Sequence, residues 1–212
     1  MMIAAPDHDD GMLILQKCRQ WMRSFVSDRD FIDMIRLIQV SIERANIDRS
    51  ELAEFGRSLS EEFPTGNAEL NRELVRLMAY MEVDGFLDRA VEYLNSGIDI
   101  SERIHVAMLL KFVTTGWTVE QRLSVLRFLE TAQQAKGGPS HTLYLIHTTR
   151  DFVKQLSDKT SRELIRQGSA MPNAALGALY NLKGVVDDDM RDALIALDDD
   201  LKQKPSQAAK RL

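Results

Sequence analysis

The chain contains one cysteine, Cys18. That excludes an internal disulfide and any multi-cysteine zinc site. It leaves the compartment open, because exported proteins without disulfides are common. No run of about eighteen apolar residues occurs, so no spanning helix is expected. The opening Met1-Met2-Ile3-Ala4-Ala5-Pro6-Asp7-His8-Asp9-Asp10 has no basic stretch and turns acidic at once, unlike a signal peptide. The protein is therefore expected to be cytoplasmic, or else a piece of a longer, exported chain. Positive charge is in the minority, with 27 Lys and Arg against 32 Asp and Glu and a net charge of −5. This argues against a general nucleic-acid binder, which needs a basic patch to displace counterions. Strand-like alternation is almost absent.

A helical beat takes its place. Apolar residues recur at i, i+3, i+4 and i+7 from near Met12 to about Leu201, cut by short capping and breaker segments. A first helix is expected over Asp10–Phe25. Ser27 caps the next, and Asp48 with Glu51 forms a capping-box-like start for a third. Phe63-Pro64-Thr65-Gly66 is the clearest breaker, with Asn67 as the cap for a helix over Ala68–Met81. Later starts are expected near Asp84, at Ser101, at Thr118 with Gln121, at Ser140, after Met171-Pro172, and at Asp187. Hairpin starts near Ala68, Ser101, Ser140 and Pro172 are separated by roughly thirty to forty residues, short of or near the low end of the HEAT period. The expected fold is all-α, a right-handed α-solenoid of stacked antiparallel helix hairpins, with an irregular multi-helix bundle as the alternative. Residues 1–9 are read as a lead-in, 10–60 as N-terminal helices forming a cap or first repeat, 61–202 as HEAT-like repeats, and 203–212 as a tail.

Four blocks occur in one order: Asn71-Arg72-Glu73-Leu74-Val75-Arg76-Leu77, Glu102-Arg103-Ile104-His105, Thr115-Gly116-Trp117-Thr118-Val119-Glu120-Gln121-Arg122, and Lys136-Gly137-Gly138-Pro139-Ser140. Over about residues 55–157 the chain resembles a HEAT-like helical segment of large multidomain bacterial proteins. Those proteins often join it to a sugar-dehydrogenase-like propeller and a haem-c domain, and most are exported. The resemblance implies a linking or docking role. It does not carry redox chemistry, because no Cys-x-x-Cys-His is present to attach haem.

Each motif with chemical potential also has a structural reading. Lys136-Gly137-Gly138-Pro139-Ser140 at a helix start suits an anion, but the longer phosphate-cradling glycine pattern is missing, and a turn with a cap explains it equally. His141 and His147 are six apart, which turns them away from one another on a helix, and Tyr144 is a poor third ligand. Ser140 and His141 are neighbours, but no Gly-x-Ser-x-Gly elbow exists. Asp187–Asp189 and Asp198–Asp200 lack the alternation and glycine of a calcium loop. Asn71, Arg72, Glu73 and Arg76 are the richest polar cluster, suited either to tie one hairpin to the next or to line a groove.

The functional expectation is a non-enzymatic scaffold that contacts a protein partner or neighbouring domains of a longer chain, without nucleic acid, membrane insertion, cofactor or metal. Its candidate interaction surface is Arg72, Tyr93, Trp117, Lys136, His141 and Tyr144. The alternative is an enzyme or small-ligand binder with a pocket near His105, His141 and Tyr144. Oligomeric state is left open.

Overall fold

The computed structural model describes residues 7–133, 135 and 139–203. Among these the chain is all-helical, with eleven α-helices, three short 3-10 turns and no strand. The chain divides into two compact units, Met1–Gly116 and Trp117–Leu212. The division follows Gly116, whose φ of 77° needs a residue without Cβ. The Pro64 turn joins two helices of the first unit.

The first unit holds α1 (His8–Trp21), α2 (Asp28–Arg44), α3 (Ala53–Glu61), α4 (Ala68–Met81), α5 (Phe86–Asn95) and α6 (Ile100–Leu110). Local chemistry sets the starts. Ser27 accepts from the Asp30 amide, Asn67 from the Glu69 and Leu70 amides, and Asp48 with Glu51 closes a capping box. At α6 the cap is Asp99, which accepts from the Ser101 amide, rather than Ser101 itself. A carboxylate two residues upstream is placed to take that amide and also complements the helix dipole. The first helix ends at Trp21 and not at Phe25, because the Ser24 hydroxyl bonds the Trp21 carbonyl and Ser27 opens the next helix.

The packing order follows the chain. Helix α1 lies on α2, α2 on α4 and α4 on α6, while α3 packs on α4 and α5 on α6. The core between them includes Ile35, Ile38, Leu59, Leu74, Val75, Met78, Phe86, Leu94, Val106 and Leu110, all essentially removed from water. Around the Pro64 turn the Phe63 ring meets Phe86 and Tyr93 edge-on, with centroids 6.1 and 5.1 Å apart. Gly11 lets α1 approach the end of α2, since a Cβ there would lie 2.4 Å from Cβ of Ala45.

The second unit holds α7 (Val119–Ala132), α8 (Pro139–Val153), α9 (Asp158–Arg166), α10 (Pro172–Ala178) and α11 (Asp188–Gln203). Thr118 and Gln121 form the expected capping box, and Ser157 and Asp187 cap α9 and α11. Ser140 lies inside the first turn of α8 and does not precede it, because Pro139 occupies the first helical position, where its missing N–H costs nothing. Helix α10 packs on α7, α8 and α9, and α9 packs on α11. Leu126, Leu129, Phe152, Leu164, Met171, Ala174, Ala175, Ala178 and Met190 fill this second core.

Candidate functional site

In the first unit a polar ridge crosses α2, α4 and α6. Arg72 on α4 donates Nε to Glu102 Oε2 on α6 at 2.7 Å. Glu73 accepts from Arg76 at 2.7 Å and from Gln39 of α2 at 3.4 Å. Arg36 of α2 lies 3.5 Å from Glu69 and 3.9 Å from Glu73. Asn71 is buried; its amide donates to the Thr65 carbonyl and to the Tyr93 hydroxyl. From α4, Arg72 thus reaches α6, while Glu69 and Glu73 both reach Arg36 of α2. Tyr93 is half-buried, and burial pushes its phenol up, with the nearby Glu102 carboxylate adding to the effect. His105, half-buried on α6, is held below the ordinary histidine value by burial and then by the Arg72 and Arg76 charges. Its Nε2 is buried without a partner, as is Glu102 Oε1. A cleft of about 210 Å³ beside this ridge is lined by Gln39, Ile42, Glu43, Arg76, Leu77 and Tyr80. The Arg49 guanidinium covers the Tyr80 ring at 4.7 Å.

A second cleft opens where α1 turns into α2. It measures about 530 Å³ and is lined by Trp21, Ser24, Phe25, Val26, Ser27, Asp30, Asp33, Met34 and Leu37. Trp21 is 56% exposed and Phe25 97% exposed. The two carboxylates are the only charged groups among these lining residues. An apolar wall rimmed by acid is the chemistry of an anchoring pocket for a side chain flanked by cations. His105 lines neither cleft.

In the second unit the Arg122 guanidinium sits 5.0 Å from the Trp117 ring centroid and 5.7 Å from that of Phe152. The two rings meet edge to face at 5.2 Å. Arg122 is only 9% exposed, and Trp117 is half-buried. Farther along, Glu130 of α7 is buried and accepts from the Asn173 amide and side chain and from the Ala174 amide, so a carboxylate closes the N-terminus of α10. Burial pushes the Glu130 carboxyl up, and those hydrogen bonds oppose the rise.

The sequence-selected residues divide between the two units. Arg72 and Tyr93 share the α4–α6 ridge through Asn71 and Glu102. Trp117, His141 and Tyr144 belong to the second unit. His141 is half-buried with Nδ1 unpartnered, Tyr144 is exposed, and His147 meets Arg150 at 2.8 Å. Lys136 lies outside the described residues. Among the described residues no group of three or more His, Cys, Asp or Glu is placed to hold a metal ion, and no helix is long and apolar enough to cross a membrane.

Three features escaped the sequence reading. Phe25 reads as a core position by periodicity, and only the serines at 24 and 27 signal that the helix stops short of it. Arg122 reads as a surface cation, although Trp117 five residues earlier is a signal for stacking. Glu102 and Glu130 carry no local sign of burial. Compared with models of protein families, with curated proteins and with solved structures, the chain finds no match.

Proposed function

We propose that the chain is a non-enzymatic helical-repeat module of the HEAT-like kind, a right-handed α-solenoid of hairpins that binds a protein partner. Support for the repeat reading comes from the first unit, where α2, α4 and α6 lie side by side in chain order, one from each successive hairpin. The resemblance of residues 55–157 to the helical segment of multidomain bacterial proteins points the same way.

The observation that carries the binding role is the cleft between Trp21, Phe25 and Leu37. A nearly fully exposed phenylalanine beside a half-exposed tryptophan is costly to leave in water and is the side-chain chemistry of an interface anchor. Asp33 lies 3.5 Å from Arg36, which leaves Asp30 as the acid on the cleft wall with no ion pair among the described residues, and the cleft suits an amphipathic helix that offers Leu or Phe flanked by Lys or Arg. A displayed peptide panel selected on the wild-type protein tests this. The expected binders combine a bulky apolar residue with basic neighbours, and lose at least tenfold in affinity on Trp21→Ala/Phe25→Ala. Acidic or charge-indifferent binders, or binders unaffected by the double substitution, overturn the reading.

A further inference from the structure

Arg122 presents an unbalanced charge. The residue is nine-tenths buried, its Nη1 is sealed from water without a hydrogen-bond partner, and among the described residues no carboxylate pairs with it. Aromatic faces on two sides recover part of the desolvation cost of a buried cation, but ring quadrupoles are weaker than a counter-ion. The position adds a second penalty. Arg122 is the fourth residue of α7, at the helix end whose dipole already favours negative charge and disfavours positive. Glu120, the acidic residue of that first turn, points its carboxylate to Arg127 instead, at 2.9 Å. A buried cation, unpaired and set at the positive end of a helix, is stabilised most directly by an anion brought from outside the chain.

We propose that Arg122 anchors a carboxylate-binding site in the second unit, with Trp117 and Phe152 as the walls that receive the apolar part of the ligand. A carboxylate fits better than a phosphate. The planar fork of one guanidinium matches a planar, singly charged group, whereas a dianion would leave excess charge among aromatic rings. Phe152 is fully buried and Trp117 half-buried, so of the two rings the indole is the one nearer solvent. None of its three residues lines the cleft proposed above.

The chain has two tryptophans, so Trp21→Phe leaves Trp117 as the sole indole reporter. Its emission is followed while acetate, phenylacetate, N-acetylphenylalanine or inorganic phosphate replaces chloride at constant ionic strength. Phenylacetate is expected to give a saturable change and to raise Tm, with acetate weaker. Arg122→Met is expected to abolish the response, and Arg122→Lys to weaken it at least tenfold. Binding of N-acetylphenylalanine tenfold tighter than phenylacetate identifies the ligand as a peptide C-terminus, and the reverse order identifies a free carboxylate; either supports the site. Should Arg122→Met fail to fold, the lysine variant and the wild-type Tm series carry the test. No saturable response in the Trp21→Phe protein, a response unchanged in the Arg122 variants, or Arg122-dependent binding stronger for phosphate than for any carboxylate overturns the proposal.

Discussion

The Arg72–Glu102 pair between α4 and α6 has one partner in water and one out of it, and that asymmetry dictates what each substitution does. The Arg72 side chain is 41% exposed, whereas Glu102 is 3% exposed and has one oxygen already unpartnered. Replacing Arg72 by Met leaves a buried carboxylate with neither counter-charge nor its only hydrogen-bond donor of the pair. Removing one member of a buried ion pair typically costs about 3–5 kcal/mol, and the partial exposure of Arg72 places this case near about 3. Replacing Glu102 by Gln leaves Arg72 free to turn into solvent and keeps an acceptor at the same place, so the loss is about 1 kcal/mol. The single substitutions thus differ by about 2 kcal/mol, and the double variant is expected to fall well short of their sum, because the second change removes the charge that the first had stranded. Urea unfolding of the four proteins at neutral pH measures all three quantities. Equal costs for the two singles, or a larger cost for Glu102→Gln, would refute the claim that burial of Glu102 makes Arg72 a tie between hairpins.

Other outcomes follow from the same structure. Gly11→Ala gains about 1 kcal/mol of helix propensity but forces its Cβ onto that of Ala45, which has no torsion to yield; the net loss in urea unfolding is about 1–2 kcal/mol, most of it restored by Ala45→Gly. Trp21→Ala/Phe25→Ala shifts stability by less than about 1 kcal/mol, because both rings are largely in water; a cooperative collapse of helicity by circular dichroism would place them in the core instead. His105 and Glu130 set opposite pH slopes. The folded His105 binds its proton more weakly than the unfolded residue, so its contribution falls as pH drops below the ordinary 6.5. The folded Glu130 binds its proton more tightly, so its contribution falls as pH rises through the interval above the ordinary 4.5. Unfolding titrations of His105→Gln and Glu130→Gln are expected to flatten the two slopes separately, and an unchanged pH profile in either variant contradicts the assigned environment.

Local signals were legible from the residues alone. Ser27, Asn67, and Thr118 with Gln121 cap the helices that their side-chain geometry calls for, and the all-helical class follows from the 3.6-residue period. What periodicity cannot supply is the partner of a polar side chain. Arg72 meets a glutamate thirty residues on, Glu130 closes a helix that begins at Pro172, and Arg122 is buried by rings on either side of it in sequence. Competing local options also hide detail. Asp99 and Ser101 are both good caps, and the carboxylate takes the amide while the hydroxyl bonds to it. Thr114-Thr115-Gly116 reads as a turn like the others, and nothing in its residues marks the end of the first unit.

The binding role rests on the cleft of Trp21 and Phe25, and one titration reads it directly. In a Trp117→Phe background Trp21 is the sole indole, and the probe is a helical peptide with Leu and Phe on one face and Lys and Arg on the other. The account predicts a saturable blue shift of Trp21 emission that weakens with added salt and loses at least tenfold in affinity on Phe25→Ala. An unchanged Trp21 spectrum, or equal affinity for the same helix with Glu in place of Lys and Arg, would contradict it.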